Sequence, residues 1–261
     1  MTVAGKRGIC EHGAVCHDGT APSMATAPEA SRAWLLIEHQ GPWPAEPTEA
    51  EQPGRLGELV CAAAGLGIRV QLIRRPGRRV PLTARTVFAG WTVGSTPWLR
   101  RGLVSPDTYD VAAPDTCGLD LAAPDTCGLD LAALADGRQP AFGELTDEPV
   151  FLVCVHGRRD VCCARFGVPL AQSLAGRYPA QVWETTHVGG HRYAGNLVML
   201  PHGLYYGPVA ATQATASIEA YLGGDVLADR YRGRAGQPRE TQEKQYARLA
   251  EAGSLPLTSL G

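Results

Sequence analysis

Short apolar runs separated by Gly, Pro and polar turns recur along the chain and read as strands alternating with helices. SRAWLLIEH is strand-like, with Trp34–Ile37 as its apolar core. The Pro-rich GPWPAEP that follows forbids helix and central strand. A helix is expected around Gly54–Ala64, ended by Gly65 and Gly67. IRVQLIRR and RTVFAGWTV read as two more strands. From about Ser105 to Gln139 the chain is rich in Asp, Pro and Gly, and AAPDTCGLDL is written twice from Ala112 to Leu131. That stretch is the best domain boundary. Beyond it come VFLVCVH as a strand, Pro169–Arg177 as a helix, AQVWETTH, LVMLPH and LYYGPV as strands, and a helix over Thr212–Leu222. The charged tail, YRGRAGQPRETQEKQYARLAEAG, is expected to end in a solvent-exposed helix.

This order in the second half is a small α/β layer arrangement of the thioredoxin type. The first half shows a worn version of it, as a tandem duplication would. The expected organisation is a flexible leader over 1–31, an N-terminal α/β domain over 32–104, a linker over 105–145, a thioredoxin-like domain over 146–230 and a charged tail over 231–261.

Composition narrows the class. With 44% hydrophobic and 19% charged residues in 261, the chain is an ordinary globular one. A net charge of −2 gives no drive toward nucleic acid or an anionic membrane. No apolar run approaches the ~20 residues of a membrane span, and the N-terminus lacks the apolar core of a secretory signal. A cytoplasmic location is the expectation.

Eight cysteines exceed what packing needs in a reducing compartment, which favours metal or redox chemistry. Cys61, in ELVCAAAGLG, reads as a buried small hydrophobe. Cys117 and Cys127 occupy the same place in the repeat and read as linker. Cys10, His12, Cys16 and His17 have a spacing that could bind a metal, but in a leader that reads as a solvated tail.

The chemistry concentrates in VFLVCVHGRRDVCCARFG and VWETTHVGGHRYAGN. Cys154 ends a strand. Cys163 lies just before a helix expected to begin near Gly167, whose dipole would stabilise a thiolate. Eight residues between them leave room to wrap a small inorganic group. In HVGGH the two glycines allow a turn that aims His187 and His191 at one centre. Singly, each Cys reads as a buried hydrophobe and each His as a hydrogen-bonded residue. Together, on two strand ends of one unit, the four read as one ligand set. Cys162 rivals Cys163 on spacing, and His156 reads as a supporting residue.

CVHGRRDVCC, then a helix, then VWETTHVGGHRYAGN resembles the sucrase/ferredoxin-like family, whose members carry a thioredoxin-like ferredoxin domain. The family pattern falls on Cys154, His156, Arg159, Asp160, Cys163, His187, Gly190, His191, Ala194, Gly195 and Asn196. The resemblance selects Cys163 over Cys162. It implies a [2Fe–2S] cluster held by Cys154, Cys163, His187 and His191. It gives no glycosidase activity, since no carboxylate pair is placed for one.

Such a ligand set has consequences. An oxidised [2Fe–2S] core with two thiolates is neutral, whereas four thiolates make a dianion, so the potential should exceed that of a plant-type ferredoxin. Arg158, Arg159 and Arg192 would push it the same way. Two other readings stay open: a mononuclear Cys2His2 zinc site, and a thiol oxidoreductase, although no C-x-x-C is present. No dinucleotide fingerprint appears. An electron carrier serving redox partner proteins fits better than a self-contained enzyme. Imidazole ligation predicts a potential that falls as pH rises, because reduction raises the affinity of the free ring nitrogen for a proton. Potentiometry that is flat between about pH 6 and 10 would count against histidine ligands.

Overall fold

The computed structural model describes residues 25–47, 55–77, 79, 81–104 and 129–260. Cys10, His12, Cys16, His17, Cys117 and Cys127 lie outside the described residues. The elements run β1 (Ala33–Glu38), α1 (Arg55–Gly65), β2 (Arg69–Arg74), β3 (Arg85–Trp91) and β4 (Trp98–Val104). After the linker come α2 (Leu131–Ala135), β5 (Glu144–Leu145), β6 (Val150–Cys154), α3 (Val161–Arg177) and β7 (Val182–Thr185). Then follow β8 (Leu197–Leu200), β9 (Leu204–Tyr206), α4 (Ala211–Leu222), β10 (Asp225–Leu227), β11 (Tyr231–Arg234), α5 (Arg239–Ala252) and β12 (Ser254–Pro256).

Ten strands form one sheet in the order β11-β9-β8-β6-β7-β2-β1-β3-β4-β5. Its two halves repeat one pattern. β1 lies parallel to β2 and antiparallel to β3, which pairs antiparallel with β4. β6 lies parallel to β7 and antiparallel to β8, which pairs antiparallel with β9. The halves meet where β2 pairs antiparallel with β7, through Ile73–Thr185 and Arg74–Glu184.

Strand alternation splits the core between the two faces of this sheet. Leu35, Ile37, Leu72, Phe151 and Val153 pack on one face with α1, α3 and α4, through Val60, Leu170 and Ile218 among others. Trp34, Leu36, Ile73, Leu152, Cys154 and Trp183 pack on the other with Ala27, Cys163, Val188 and Ala235. Among the described residues, loop positions Ala27, Val188 and Ala235 and the first turn of α3 lie on that second face. The candidate thiols, Cys154 and Cys163, belong to this second core.

Several expectations need correction. α3 begins at Val161, capped by Asp160, rather than near Gly167; Pro169 lies inside it. Cys163 is consequently in the first turn and not ahead of the helix. β4 is an additional strand, in which Arg100, Arg101, Gly102 and Leu103 leave little apolar signature. The charged tail contributes β11, buried along its whole length, and α5 buries Gln242, Gln245 and Leu249. Arg234, from the segment read as charged tail, is buried and donates to the carbonyls of His202, Leu260, Thr92 and Gly94. Carbonyl oxygens take the place of solvent around its charge. Cys61 is exposed rather than buried. Leu59, Val60 and Ala63 turn their side of α1 to the core, which leaves position 61 outward.

His202 accompanies this packing. Its Nδ1 lies 2.7 Å from the Tyr221 hydroxyl. Burial, then the Arg234 charge, lower its pKa from the ordinary 6.5 to about 4. The unfolded chain thus takes up a proton near pH 6.5 that the folded chain refuses until about 4. Stability present above the first value is lost as pH falls toward the second. The melting temperature should drop across this window more steeply in the wild type than in His202→Gln; parallel curves would show that His202 does not contribute.

Candidate metal centre

Cys154 closes β6 with its backbone held on both sides. Its N–H donates to the Asn196 carbonyl at 3.1 Å, and the next N–H, of Val155, donates to the Thr185 carbonyl at 3.1 Å. The chain then turns through His156–Asp160, where the N–H groups of Arg159 and Asp160 both reach the His156 carbonyl. Asp160 Oδ1 accepts from the Cys162 N–H at 2.9 Å and caps α3. Cys163 follows in the first helical turn. Gly167 allows the close approach: a Cβ there would fall 1.9 Å from the Cys154 carbonyl oxygen. Helix and strand end can therefore bring the two thiols together.

His187 comes from the end of β7 and is fixed largely by the other half of the sheet. The Gln71 amide oxygen accepts from the Thr185 and Thr186 hydroxyls at 3.1 and 2.8 Å. Gln71 Nε2 and Arg69 Nη2 donate to the His187 carbonyl at 3.4 and 3.3 Å. The His187 N–H donates to His156 Nδ1 at 3.1 Å. His156 is buried, with its ring 6.0 Å from and edge-on to Trp43. Burial first of all lowers its pKa, so it stays neutral and can accept that bond. Its role is support, as expected.

Past His187 the loop needs backbone freedom. Gly189 and Gly190 take φ of +97° and +69°. Val188 is buried, and its carbonyl accepts from the Tyr205 hydroxyl at 3.2 Å. Asn196 Nδ2 donates to the Gly190 carbonyl at 3.1 Å, while Arg232 Nη1 donates to Asn196 Oδ1. Arg232 is 1% exposed, donates through Nε to Thr26 Oγ1 at 3.0 Å, and lies 4.2 Å over the Tyr193 ring. Among the described residues no carboxylate forms a salt bridge with it. Burial lowers its pKa to about 10.

The outcome is a compact donor group. One ligand atom each from Cys154, Cys163 and His187 lies within 4.8 Å of the others. Cys163 Sγ is 3.6 Å from His187 Nδ1. Both cysteines are fully buried, and His187 is half-buried. A hydrogen bond with Cys163, and then one with His187, holds the Cys154 thiol well below its usual range against the effect of burial. The same pairing, followed by burial, pushes the Cys163 thiol up. Two buried sulfurs sharing a proton beside an imidazole make a set that a cation can stabilise by displacing the proton.

His191 is not drawn into this group. It is exposed at the mouth, and its Nδ1 lies 3.9 Å from Asp160 Oδ2. Cys162, the sequence rival of Cys163, is disulfide-bonded. Arg159 pairs with Glu46. Arg69, Gln71, Tyr205 and Arg232 join the site without having stood out in the sequence. Gln71 carries a signal, as the one amide in the apolar strand IRVQLIRR. Arg232 carries none, because its segment reads as charged tail.

Fold and site define an α/β protein with a buried thiol–imidazole donor group at the ends of two central strands, β6 and β7, of a continuous sheet. The chain belongs to the sucrase/ferredoxin-like family, whose profile matches residues 24–233. It is similar to "Altered inheritance of mitochondria protein 32" of Meyerozyma guilliermondii, at 36% identity over 102 residues, covering 34% of this chain and 36% of that one. It is also similar to the protein of the same name from Debaryomyces hansenii, at 33% identity over 95 residues, covering 32% and 35%. The chain thus spans only about a third of the length of these curated relatives. No solved structure matches it. Among the described residues no helix is long and apolar enough to cross a membrane.

Arg232→Met should lower unfolding stability by roughly 1–3 kcal/mol, because the Asn196 and Thr26 oxygens lose a buried donor. Denaturant melts of the unloaded protein measure this. A loss under about 0.5 kcal/mol, the scale of an ordinary surface change, would show that Arg232 does not clamp the loop.

Proposed function

We propose that this protein is a [2Fe–2S] electron carrier whose ligands are Cys154, Cys163, His187 and His191. The observation that carries the reading is the convergence of two buried thiols and one imidazole within 4.8 Å at the end of the sheet. Family membership over residues 24–233 supports it. The matching strand orders of the two halves support a thioredoxin-like unit in the second.

The donor set fits such a group in kind. Soft thiolates suit iron–sulfur centres, and imidazole in place of two thiolates raises the potential. When bound, the cluster supplies reversible one-electron chemistry. The chain's own residues do the rest. Cys154 and Cys163 give up their protons to become ligands. His156 and Gln71 fix the backbone of His187. Asn196 and Arg232 hold the loop that presents His191. Buried Val188 and Leu152 keep water from the second-core side. Redox partner proteins and a cytoplasmic location belong to the same proposal.

One observation favours a second reading. Ligands around a single tetrahedral zinc lie roughly 3.8 Å apart for two sulfurs, and the three donors here fall within a comparable radius. A mononuclear zinc site would use the same residues. A thiol oxidoreductase is less well supported, because Cys154 and Cys163 are both at 0% exposure and shielded from a substrate disulfide.

Metal and sulfide analysis of the purified chain decides between them. Brown protein with about two iron and two acid-labile sulfide per chain, as a [2Fe–2S] centre requires, is the expected result. Colourless protein holding zinc would establish the second reading. His187→Cys and His191→Cys should each retain colour and lower the potential. Unchanged colour and potential in both would remove the histidines from the ligand set.

A further inference from the structure

Among the described residues the loop at His191 and the start of α3 carry an excess of positive charge. The 3.9 Å approach of His191 to Asp160 brings the HVGGH loop against the start of α3. Arg158 and Arg159 immediately precede Asp160, and Arg192 follows His191. Arg165 lies one helical turn beyond Val161, on the same face of α3. All four arginines are exposed. Among the described residues two acidic groups lie here and both are engaged: Asp160 is 8% exposed and caps the helix, and Glu46 is bound to Arg159. Among the arginines stands Val161, an apolar residue left 74% exposed. The chain as a whole carries −2, so this positive face is local.

We infer that the face formed by Arg158, Val161, Arg165 and Arg192 docks an acidic redox protein over the centre. The inference rests on the proposed electron-transfer reading. An apolar contact inside a charged rim is the usual anatomy of a protein interface. Opposite charges would steer encounter and orient the partner. Half-exposed His191, the fourth proposed ligand, stands at this face. A small, charge-steered contact suits a brief electron-transfer encounter. In each encounter the partner loses one electron and this protein gains it, or the reverse.

The test uses the full-length, cluster-loaded protein and reduced plant-type ferredoxin, an acidic donor, in stopped-flow mixing. Potential, visible spectrum and melting temperature are recorded for the wild type and for R158E/R165E. The wild-type second-order rate should fall about tenfold or more between low and high ionic strength. At low salt R158E/R165E should be slower by a similar factor and nearly insensitive to salt. With cytochrome c, a basic acceptor, the double variant should instead be faster than the wild type. The salt slope is compared because it does not depend on driving force, which the charge reversals also change. Coloured protein whose ferredoxin rate ignores both salt and the substitutions overturns the docking face and leaves the proposed function standing. So does coloured protein in which the substitutions abolish binding to phosphatidylserine vesicles but not the ferredoxin reaction. Iron-free, colourless protein overturns both.

Discussion

Two residue pairs, Ile73–Thr185 and Arg74–Glu184, join the halves of the sheet, and the geometry of the donor group depends on that narrow junction. The Leu72 and Thr186 backbones continue it, with the Thr186 N–H donating to the Leu72 carbonyl at 3.0 Å. Arg74 and Glu184 close it with a mostly buried 2.7 Å ion pair. Arg75 adds donors to the carbonyls of Pro179, Ala180 and Val182 and stacks 3.6 Å over Trp183. Because β2 continues beside the end of β7, Gln71 and Arg69 reach the His187 carbonyl. The candidate ligand His187 in the second half is thereby set by side chains from the first.

Around that junction each donor has a separate anchor. The parallel β6–β7 pair requires a crossover, and α3 supplies it. Its Asp160 cap and the close approach at Gly167 bring Cys163 to Cys154. Positive φ at Gly189 and Gly190 turns the second loop, and the Asn196–Arg232 link holds it. Arg232 is a cation buried among neutral oxygens and aromatic rings rather than beside a carboxylate. Burial is the main influence on its charge, and the neighbouring tyrosines and Cys154 act in the opposite direction.

Much of this was legible in the chain. The apolar run WLLI in β1, the strand ending at Cys154 and the run at β7 carry enough period or length to mark them. Cys154, Cys163 and His187 stand out because soft ligands gathered at strand ends, with short turns between, exceed what packing alone requires. The start of α3 is harder to read. Pro169 resembles the proline that commonly opens a helix, whereas the true cap is Asp160, nine positions earlier. The first turn, Val161–Cys163, has no polar face of its own and blends into the loop before it.

The sequence by itself determined the strand–helix order, the two loops rich in Cys and His, and the glycines that let the second loop turn, because these depend on local period and backbone freedom. Only the tertiary structure decided that both halves share one sheet, that Gln71 and Arg69 hold His187, and that Arg232 from the charged tail lies buried against Gly190. Those contacts join residues far apart in the chain. Their polar side chains carry no local sign of burial, since the hydrogen-bond partners that make burial tolerable exist only once the strands are side by side.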